Sequence, residues 1–210
     1  MVIPKSPDYP AFEITGGALC LDLANTVNQR PTTAAEGLRT YEDLVGWAEQ
    51  AGVLTAAEGQ ALREEAARRP ADAAAALSVV RELREALHGT FAAQARGALA
   101  PTDALAMINT ALPPALARLE IHPADGGYTW SWRRAGDQLD SMLAPVIDSA
   151  ADLLTSPDLI RVRECESAAC GWLFLDRSRN RSRRWCDMTV CGNRAKVRRH
   201  YQRSKQRTNK

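Results

Sequence analysis

The 210-residue sequence lacks the features that define several common protein classes. No apolar run approaches the roughly 18 residues of a membrane span, and no internal repeat suggests a helical solenoid. The first residues, MVIPKSPDYP, do not have the basic-then-apolar pattern of an export signal, so we expect a cytoplasmic protein. No pairing of acid, base and nucleophile is recognisable, which makes an enzyme the least supported class.

Charge is nearly balanced in total but is divided unevenly along the chain. Residues 1–160 hold 12 Lys and Arg against 21 Asp and Glu, whereas residues 161–210 hold 15 against 4. Such a split indicates that the last fifty residues contact a polyanion or the acidic part of their own chain. The first 160 residues are expected to have a different task.

Cysteine is divided in the same way, with Cys20 alone and four cysteines in the basic part. Those four form two pairs, each enclosing four residues and separated by fifteen: Cys165, Cys170, Cys186 and Cys191. Disulfides are disfavoured in a cytoplasmic protein, and two short-spaced thiolate pairs are typical of a tetrahedral zinc site. We therefore predict a structural Zn²⁺ ion, with an iron–sulfur cluster or four buried free thiols as alternatives.

The first part of the chain shows mainly helical periodicity. Helices are predicted over 18–30, 41–51, 56–69, 72–97, 102–112 and 137–154, with Thr40 and Thr55 as N-caps and a kink at Pro145. The period becomes alternating on both sides of Asp125-Gly126-Gly127, which predicts a β-hairpin. Its tryptophans, Trp130 and Trp132, are taken to point to opposite faces and to pack in the core or on the hairpin.

The cysteine-rich part shows a different order of elements. Strands are predicted at 159–164, 172–175 and 184–185, followed by a helix that begins at Gly192-Asn193. Two ligands on a hairpin and two at a helix start make a treble-clef arrangement, in which the metal replaces a core too small to fold alone. We therefore predict an α+β protein with a mainly helical domain over 11–155 and a treble-clef-like, four-cysteine zinc finger over 159–207.

The finger carries a dense set of basic side chains on a loop and on the final helix. On that helix Val197 and Tyr201 are predicted to pack against the finger's aromatic side chains, so that the basic residues face solvent. The predicted nucleic-acid contacts are Arg177, Arg179, Arg181, Arg183, Arg184, Lys196, Arg199, Arg203 and Arg207. A solvated basic tail and a patch that docks on the acidic domain are the alternatives, and Arg194 is an alternative bridge between helix and hairpin.

The segment CGNRAK, the CxxxxC spacing and FLDRSRNRSRRWC together closely resemble the CGNR zinc-finger family of bacterial proteins. The resemblance covers residues 159–205 and implies that the four paired cysteines bind zinc in a DNA-binding, stress-induced transcription regulator. Upstream, GGALCLDLANTVNQR and YEDLVGWAEQAGVL resemble the ABATE domain that usually accompanies this finger.

The function of the helical domain is open between two hypotheses. Its polar residues Asp22, Asn25, Thr26 and Arg30 are predicted to line a small-molecule pocket, so that an effector biases the finger's position. Alternatively, Asp22 and Asn25 only cap neighbouring backbone groups. DNA is the expected partner, with RNA binding or protein docking as the contrasting possibility. Since one finger contacts only a short stretch of DNA and many DNA sites are two-fold symmetric, we also expect a homodimer formed through the helical domain.

Overall fold

The structure is a computed structural model that describes residues 12–133, 138–198 and 201. Up to residue 175 of the described chain, the α-helices and the strands of three two-stranded antiparallel sheets have the following bounds: α1 (Leu19–Ala24), β1 (Val27–Asn28), β2 (Ala35–Glu36), α2 (Tyr41–Gln50), α3 (Ala56–Arg68), α4 (Pro70–Ala95), α5 (Thr102–Leu116), β3 (Leu119–Ala124), β4 (Gly127–Trp132), α6 (Leu143–Thr155), β5 (Val162–Glu164) and β6 (Leu173–Leu175). Among the described residues, no helix has the length and apolar character that crossing a membrane requires. The predicted α+β class is confirmed.

Two helices begin at the predicted threonine caps. The Thr40 side chain accepts the backbone N–H of Asp43 at 3.1 Å, and the Asp43 carboxylate accepts the N–H of Thr40 at 2.8 Å. Thr55 and Glu58 make the same reciprocal pair at the start of α3. Each pair satisfies two backbone donors that a helix N-terminus otherwise leaves free, and this explains why α2 and α3 start where they do.

The longest helix, α4, runs through the centre of the helical domain. Its predicted apolar stripe is buried throughout: Leu77, Val80, Leu83, Leu87 and Phe91. Trp47 from α2 and Ile147 from α6 belong to the same core. At roughly 1.5–3 kcal/mol for each buried side chain of this size, the core is the main source of the domain's stability.

The first helix is much shorter than predicted. It ends at Ala24, and Val27 pairs with Glu36 in the small β1–β2 sheet. The Thr26 hydroxyl donates to the Leu23 carbonyl, while Asn25 bonds to a distant part of the chain. Asn and Thr side chains can hydrogen-bond to backbone groups in place of the helix's own bonds. The bonds of Asn25 and Thr26 therefore explain why α1 ends earlier than its apolar pattern predicts.

Two predictions that involve proline are wrong, and the structure gives a physical reason for the second. Helix α5 continues through Pro113-Pro114 to Leu116, although we expected it to stop before them. Helix α6 begins at Leu143, so Pro145 lies in its first turn and not in its interior. A missing N–H is tolerated in the first turn, where the donor has no helical acceptor, so no kink is needed at Pro145.

The predicted hairpin is confirmed, but the orientation of its tryptophans is not. Strands β3 and β4 pair from Leu119↔Trp132 to Ala124↔Gly127, with Asp125-Gly126 as the turn. Side chains two residues apart in a strand point to the same face, so Trp130 and Trp132 share one face and the expectation of opposite faces is wrong. Trp132 packs on the helical core, whereas Trp130 is 64 % exposed.

Candidate metal centre

The first two cysteines lie in the connection between β5 and β6. These strands pair from Val162↔Leu175 to Glu164↔Leu173, and the Cys165 N–H donates to the Trp172 carbonyl at 2.8 Å. The predicted strand over 159–164 is shorter than expected, because Pro157–Arg161 forms a 3₁₀ turn. Cys165 and Cys170 thus lie in the turn of one hairpin.

The second two cysteines lie on either side of a capped turn. The Asp187 carboxylate accepts the N–H groups of Thr189 at 2.6 Å and Val190 at 2.8 Å, and this starts a single π-helical turn over Met188–Gly192. An α-helix over 193–198 follows. The strand predicted at 184–185 is not present in the described chain, where these residues form a loop.

The four sulfur atoms form a compact cluster. The Sγ atoms of Cys165, Cys170, Cys186 and Cys191 all lie within 4.8 Å of one another. Those of Cys170 and Cys186 are 3.6 Å apart, and those of Cys186 and Cys191 are 3.7 Å apart. Ligands ~2.3 Å from a tetrahedral ion lie about 3.8 Å apart, so the donor set fits one ion. An iron–sulfur cluster would hold its cysteines farther apart, because iron and sulfide atoms lie between them.

The pKa shifts of the cysteine thiols also favour a bound cation. Hydrogen bonds from Cys170 and Cys186 lower the pKa of the Cys165 thiol, and the contact with Cys165 raises the pKa of Cys170. Burial raises the pKa of Cys191. The protein alone therefore stabilises one thiolate and opposes the others. A divalent cation supplies the positive charge that allows all four thiols to ionise as ligands.

Two residues of the CGNR tetrapeptide shape the turn around Cys191. A Cβ atom added to Gly192 would lie 3.1 Å from the Met188 sulfur and 3.3 Å from the Trp185 ring, so a larger residue would crowd the turn. The Asn193 amide donates to the Thr189 carbonyl at 2.8 Å. The Arg194 side chain, in contrast, is exposed and makes no hydrogen bond or ion pair with the described residues, so no such bond supports the alternative of a structural bridge.

The finger has a small core of its own, made of cysteines and aromatic rings. Its members are Cys165, Trp172, Phe174, Cys186 and Cys191, with Cys170 and Trp185 at its edge. The prediction that Val197 and Tyr201 join this core is wrong, since they are 55 % and 67 % exposed. The hairpin and loop already supply its aromatic side chains.

Sequence reasoning missed Asp176, which organises the arginine-rich loop from its centre. The side chain is fully buried and accepts the N–H groups of Ser178 at 2.9 Å and Arg183 at 3.0 Å. Burial opposes its ionisation, but these hydrogen bonds hold the pKa of Asp176 below its ordinary value. The signal that could have found it was the Asp-x-Ser spacing directly after a buried strand, which is typical of an Asx turn.

The loop arginines divide into two groups. Arg183 donates to the carbonyls of Trp185 and Cys186 and lies 4.5 Å from the centroid of the Phe174 ring. Arg184 pairs with Glu166 and lies over the Trp185 ring. Both therefore bind the finger itself.

The remaining predicted nucleic-acid contacts are either solvent-facing or lie outside the described residues. Four of the predicted contacts are exposed and have no ion pair within the described ranges, and Arg194 and Arg198, which were not among those predictions, share both properties. We call these six side chains the basic surface: Arg177, Arg179, Arg181, Arg194, Lys196 and Arg198. The predicted contacts Arg199, Arg203 and Arg207 lie outside the part of the chain that the structure describes.

The finger is joined to the helical domain by a pair of buried hydrogen bonds. The Asn25 amide donates to the Leu173 carbonyl and accepts the Leu173 N–H, each at 2.8 Å. The Leu175 N–H donates to the Gly16 carbonyl at 2.7 Å. Leu173 and Leu175, together with Val162, belong to the hydrophobic core of the helical domain. The hairpin of the finger is therefore packed as part of that domain.

Gly171 forms a second contact across the same boundary. Its φ is +74°, and an added Cβ would lie 3.0 Å from Arg30, so this position favours glycine on both counts. The Gly171 carbonyl lies 2.9 Å from Nε2 of His88 on α4. Burial lowers the pKa of His88, so a neutral ring donates this hydrogen bond.

The four residues predicted to line a pocket all bond to the chain itself. Asp22 accepts the Gly16 N–H at 2.7 Å, and the Thr26 hydroxyl donates to Leu23 at 2.8 Å. Arg30 donates to the Ala24 carbonyl and pairs with Glu85. Only the Asp22 contact is of the kind that the backbone-capping alternative expects, because Asn25 bonds to the backbone of Leu173, far along the chain. Binding of a small molecule stays a prediction.

Asp22 is expected to make stability depend on pH. Burial raises the pKa of its carboxyl to about 6, although the backbones of Gly16 and Thr15 donate to it. A raised folded-state pKa contributes stability at low pH that is lost as the pH rises through about 6. Between pH 5 and pH 8 this loss is about 1 kcal/mol. D22N does not titrate, so its free energy of unfolding should fall less over that range in zinc-containing buffer. Parallel wild-type and D22N curves would contradict the shift.

Two family models match the chain, one over the helical domain and one over the finger. The family model named ABATE, described as a putative stress-induced transcription regulator, matches residues 17–157. The model of the CGNR zinc finger matches residues 161–204, which include all four clustered cysteines. A search of curated proteins returned no match. The chain belongs to the ABATE family, and a CGNR zinc finger follows its ABATE domain.

Proposed function

We propose that this protein is a DNA-binding transcription regulator of the bacterial cytoplasm whose finger is held in shape by one Zn²⁺ ion. Cys165, Cys170, Cys186 and Cys191 would hold the ion. Four protein thiolates complete a tetrahedral site and leave no position for water or substrate, so the metal supplies folding and not catalysis. We accordingly propose no enzymatic activity.

The observation that carries the proposal is the division of the finger's arginines. Arg183 and Arg184 are committed to the finger, whereas the basic surface is exposed and unneutralised within the described chain. Docking on the acidic domain would pair these cations with its carboxylates; Arg177 lines a cleft with Asp148 and Asp152, but no ion pair involves the basic surface among the described residues. An uncompensated cationic surface on a rigid scaffold suits a phosphate backbone.

Removal of two cations from the basic surface should weaken DNA binding in a salt-dependent way. In R179A/R194A, one change lies on the loop and one at the start of the helix, and neither side chain loses an ion pair within the described chain. Affinity for duplex DNA should fall, and the slope of log affinity against log salt should become less steep by about 2. Fluorescence anisotropy titrations at several salt concentrations measure both quantities.

The matched control removes the same charge from the helical domain. Arg39 and Arg68 are 67 % and 66 % exposed, each beside a carboxylate of its own helix region. R39A/R68A should leave the slope unchanged if the contact is local to the finger. Equal losses in the two variants would instead indicate attraction by net charge alone.

Structured RNA is the second candidate ligand, because the basic surface faces a phosphate backbone in either case. Titrations of duplex DNA and structured RNA at two salt concentrations separate the two. Preference for DNA at both concentrations supports a regulator, preference for RNA supports the alternative, and equal weak binding indicates generic polyanion attraction.

A small-molecule effector would have a defined target in this architecture. Asn25 bonds directly to the finger, so a ligand that competes for the Leu173 backbone would loosen the attachment. We propose this contact as the point where any sensing by Asp22, Asn25, Thr26 and Arg30 would act on the finger. Only a ligand with different affinity for the attached and detached states shifts that equilibrium.

A further inference from the structure

The β3–β4 hairpin leaves the helical domain at its base and is exposed over its outer part. Leu119 and Trp132 at the base are half-buried, whereas the four outermost residues of each strand are exposed. An isolated two-stranded hairpin is marginally stable in water and usually gains support from further strands or from a helix. The outer half of this hairpin has no such support from the described chain.

One face of the hairpin is entirely apolar. The three cross-strand pairs on this face are Leu119 with Trp132, Ile121 with Trp130 and Pro123 with Tyr128. At the outer end, Ile121, Trp130 and Tyr128 are 60 %, 64 % and 79 % exposed. Since a large aromatic side chain covers about 150–250 Å² when buried, these three present roughly 400 Å² of apolar surface. A patch of this size on a monomer commonly marks an interaction site.

The outer edge of β4 is open for pairing. The Arg133 N–H donates to the Arg118 carbonyl at 2.7 Å, so Arg118 and Arg133 are a hydrogen-bonded pair of the hairpin. In an antiparallel hairpin every second pair exchanges hydrogen bonds, counted from this one. Tyr128 and Trp130 belong to the pairs between, so their N–H and C=O groups point away from β3. Within the described chain neither residue pairs with another backbone group across this edge, and the Trp130 carbonyl accepts only the Thr129 hydroxyl, at 3.4 Å. The outer edge of β3 is less suited, because Pro123 has no N–H to donate.

Charge decides against nucleic acid as the occupant of this surface. The hairpin residues 119–132 include Glu120 and Asp125 and no Lys or Arg. A phosphate backbone would find no Lys or Arg within these strands, and the nearby Arg133 is already paired with Glu120. An apolar face beside an uncharged, unpaired strand instead matches a second surface of the same kind, and a two-fold axis brings two identical surfaces together.

We propose that β4 pairs antiparallel with β4 of a second copy of the chain, across a two-fold axis near Trp130. The hairpins then form a four-stranded sheet in the order β3-β4-β4-β3, and the apolar faces become continuous. A standard interface buries about 800 Å² on each partner. The exposed side chains and the strand edge supply only part of that, so we expect a dissociation constant on the order of 1–100 μM.

Sedimentation equilibrium of the full-length zinc-loaded protein tests the proposal over this concentration range. Y128Q/W130Q should raise the dimer dissociation constant by about 100-fold or more, because large aromatic side chains dominate such interfaces. The matched control, T129Q/S131Q, places the same residues on the opposite face of the same strand and should dimerise almost as well as the wild type. Circular dichroism and thermal unfolding check that both variants fold.

Amide hydrogen exchange identifies the surface independently of any substitution. The N–H groups of Tyr128 and Trp130 should exchange freely in dilute protein and become protected as concentration rises, since they lie outside the hairpin's own ladder. A chain that is monomeric throughout, a dimer that Y128Q/W130Q does not weaken, or a dimer without this protection would each overturn the proposal. None of these results bears on DNA binding by the finger.

Discussion

C186S/C191S is expected to bind no zinc and to lose the structure of only one part of the finger. Residues 176–198 depend on the metal, because they hold only a small core of cysteines and aromatic rings. Zinc contributes about 10–16 kcal/mol to the folding of isolated fingers, which is as large as the stability of a whole domain. The β5–β6 hairpin should behave differently, because Leu173 and Leu175 are buried in the helical core.

Hydrogen exchange followed by mass spectrometry resolves these two parts. In C186S/C191S the amides of residues 176–198 should exchange at nearly unfolded rates, while those of Leu173 and Leu175 stay protected by Asn25 and Gly16. Chelation of zinc from the wild type should give the same pattern. Elemental analysis should find one zinc ion per wild-type chain and none in the variant.

C20S is the matched control for this experiment. Cys20 is fully buried in the helical core, and its thiol donates to the Ser149 carbonyl, a bond that a serine hydroxyl can also make. C20S should retain one zinc ion per chain and normal exchange in the finger. If residues 176–198 stay protected without metal, or if the purified wild type holds no zinc, the metal centre is not what folds the finger.

Much of the fold was predictable because local signals determine it. The capping pairs of Thr40 and Thr55 lie within four residues of the helices that they start, and the hairpin turn at Asp125-Gly126 is a local choice. The cysteine spacing is similar in kind, since ligands close together in sequence meet at low entropic cost. In such cases sequence neighbours are also spatial neighbours.

One failure concerns a contact between residues that are far apart in sequence. Asn25 lies 148 positions before Leu173, so no local pattern indicates that its amide ends α1 and holds a finger strand. The loop arginines are a different case, because Arg179 and Arg183 occur in the same repetitive stretch and the contacts of Arg183 are local. Only the placement of Phe174 and the Cys186 carbonyl distinguishes the structural arginine from the exposed one.

N25A is expected to destabilise the protein by about 2–5 kcal/mol without reducing its zinc content. The substitution removes both partners of the buried Leu173 backbone, and each unsatisfied buried group costs about 1–3 kcal/mol. Urea unfolding in zinc-containing buffer measures the change. N28A is the matched control, since Asn28 is exposed three residues further along the chain and should change stability by less than about 0.5 kcal/mol.

N25D separates the hydrogen bonds at Asn25 from the loss of side-chain volume. One carboxylate oxygen still accepts the Leu173 N–H, but the other faces the Leu173 carbonyl, and two acceptors repel. Protonation turns the second oxygen into a donor, so the folded protein should raise the pKa of the new carboxyl and N25D should be closest to wild type at low pH. Its deficit in free energy of unfolding should therefore grow as the pH rises from 5 to 8, whereas that of N25A should stay constant. A constant deficit in both variants would mean that packing, and not the paired hydrogen bonds to Leu173, joins the finger to the helical domain.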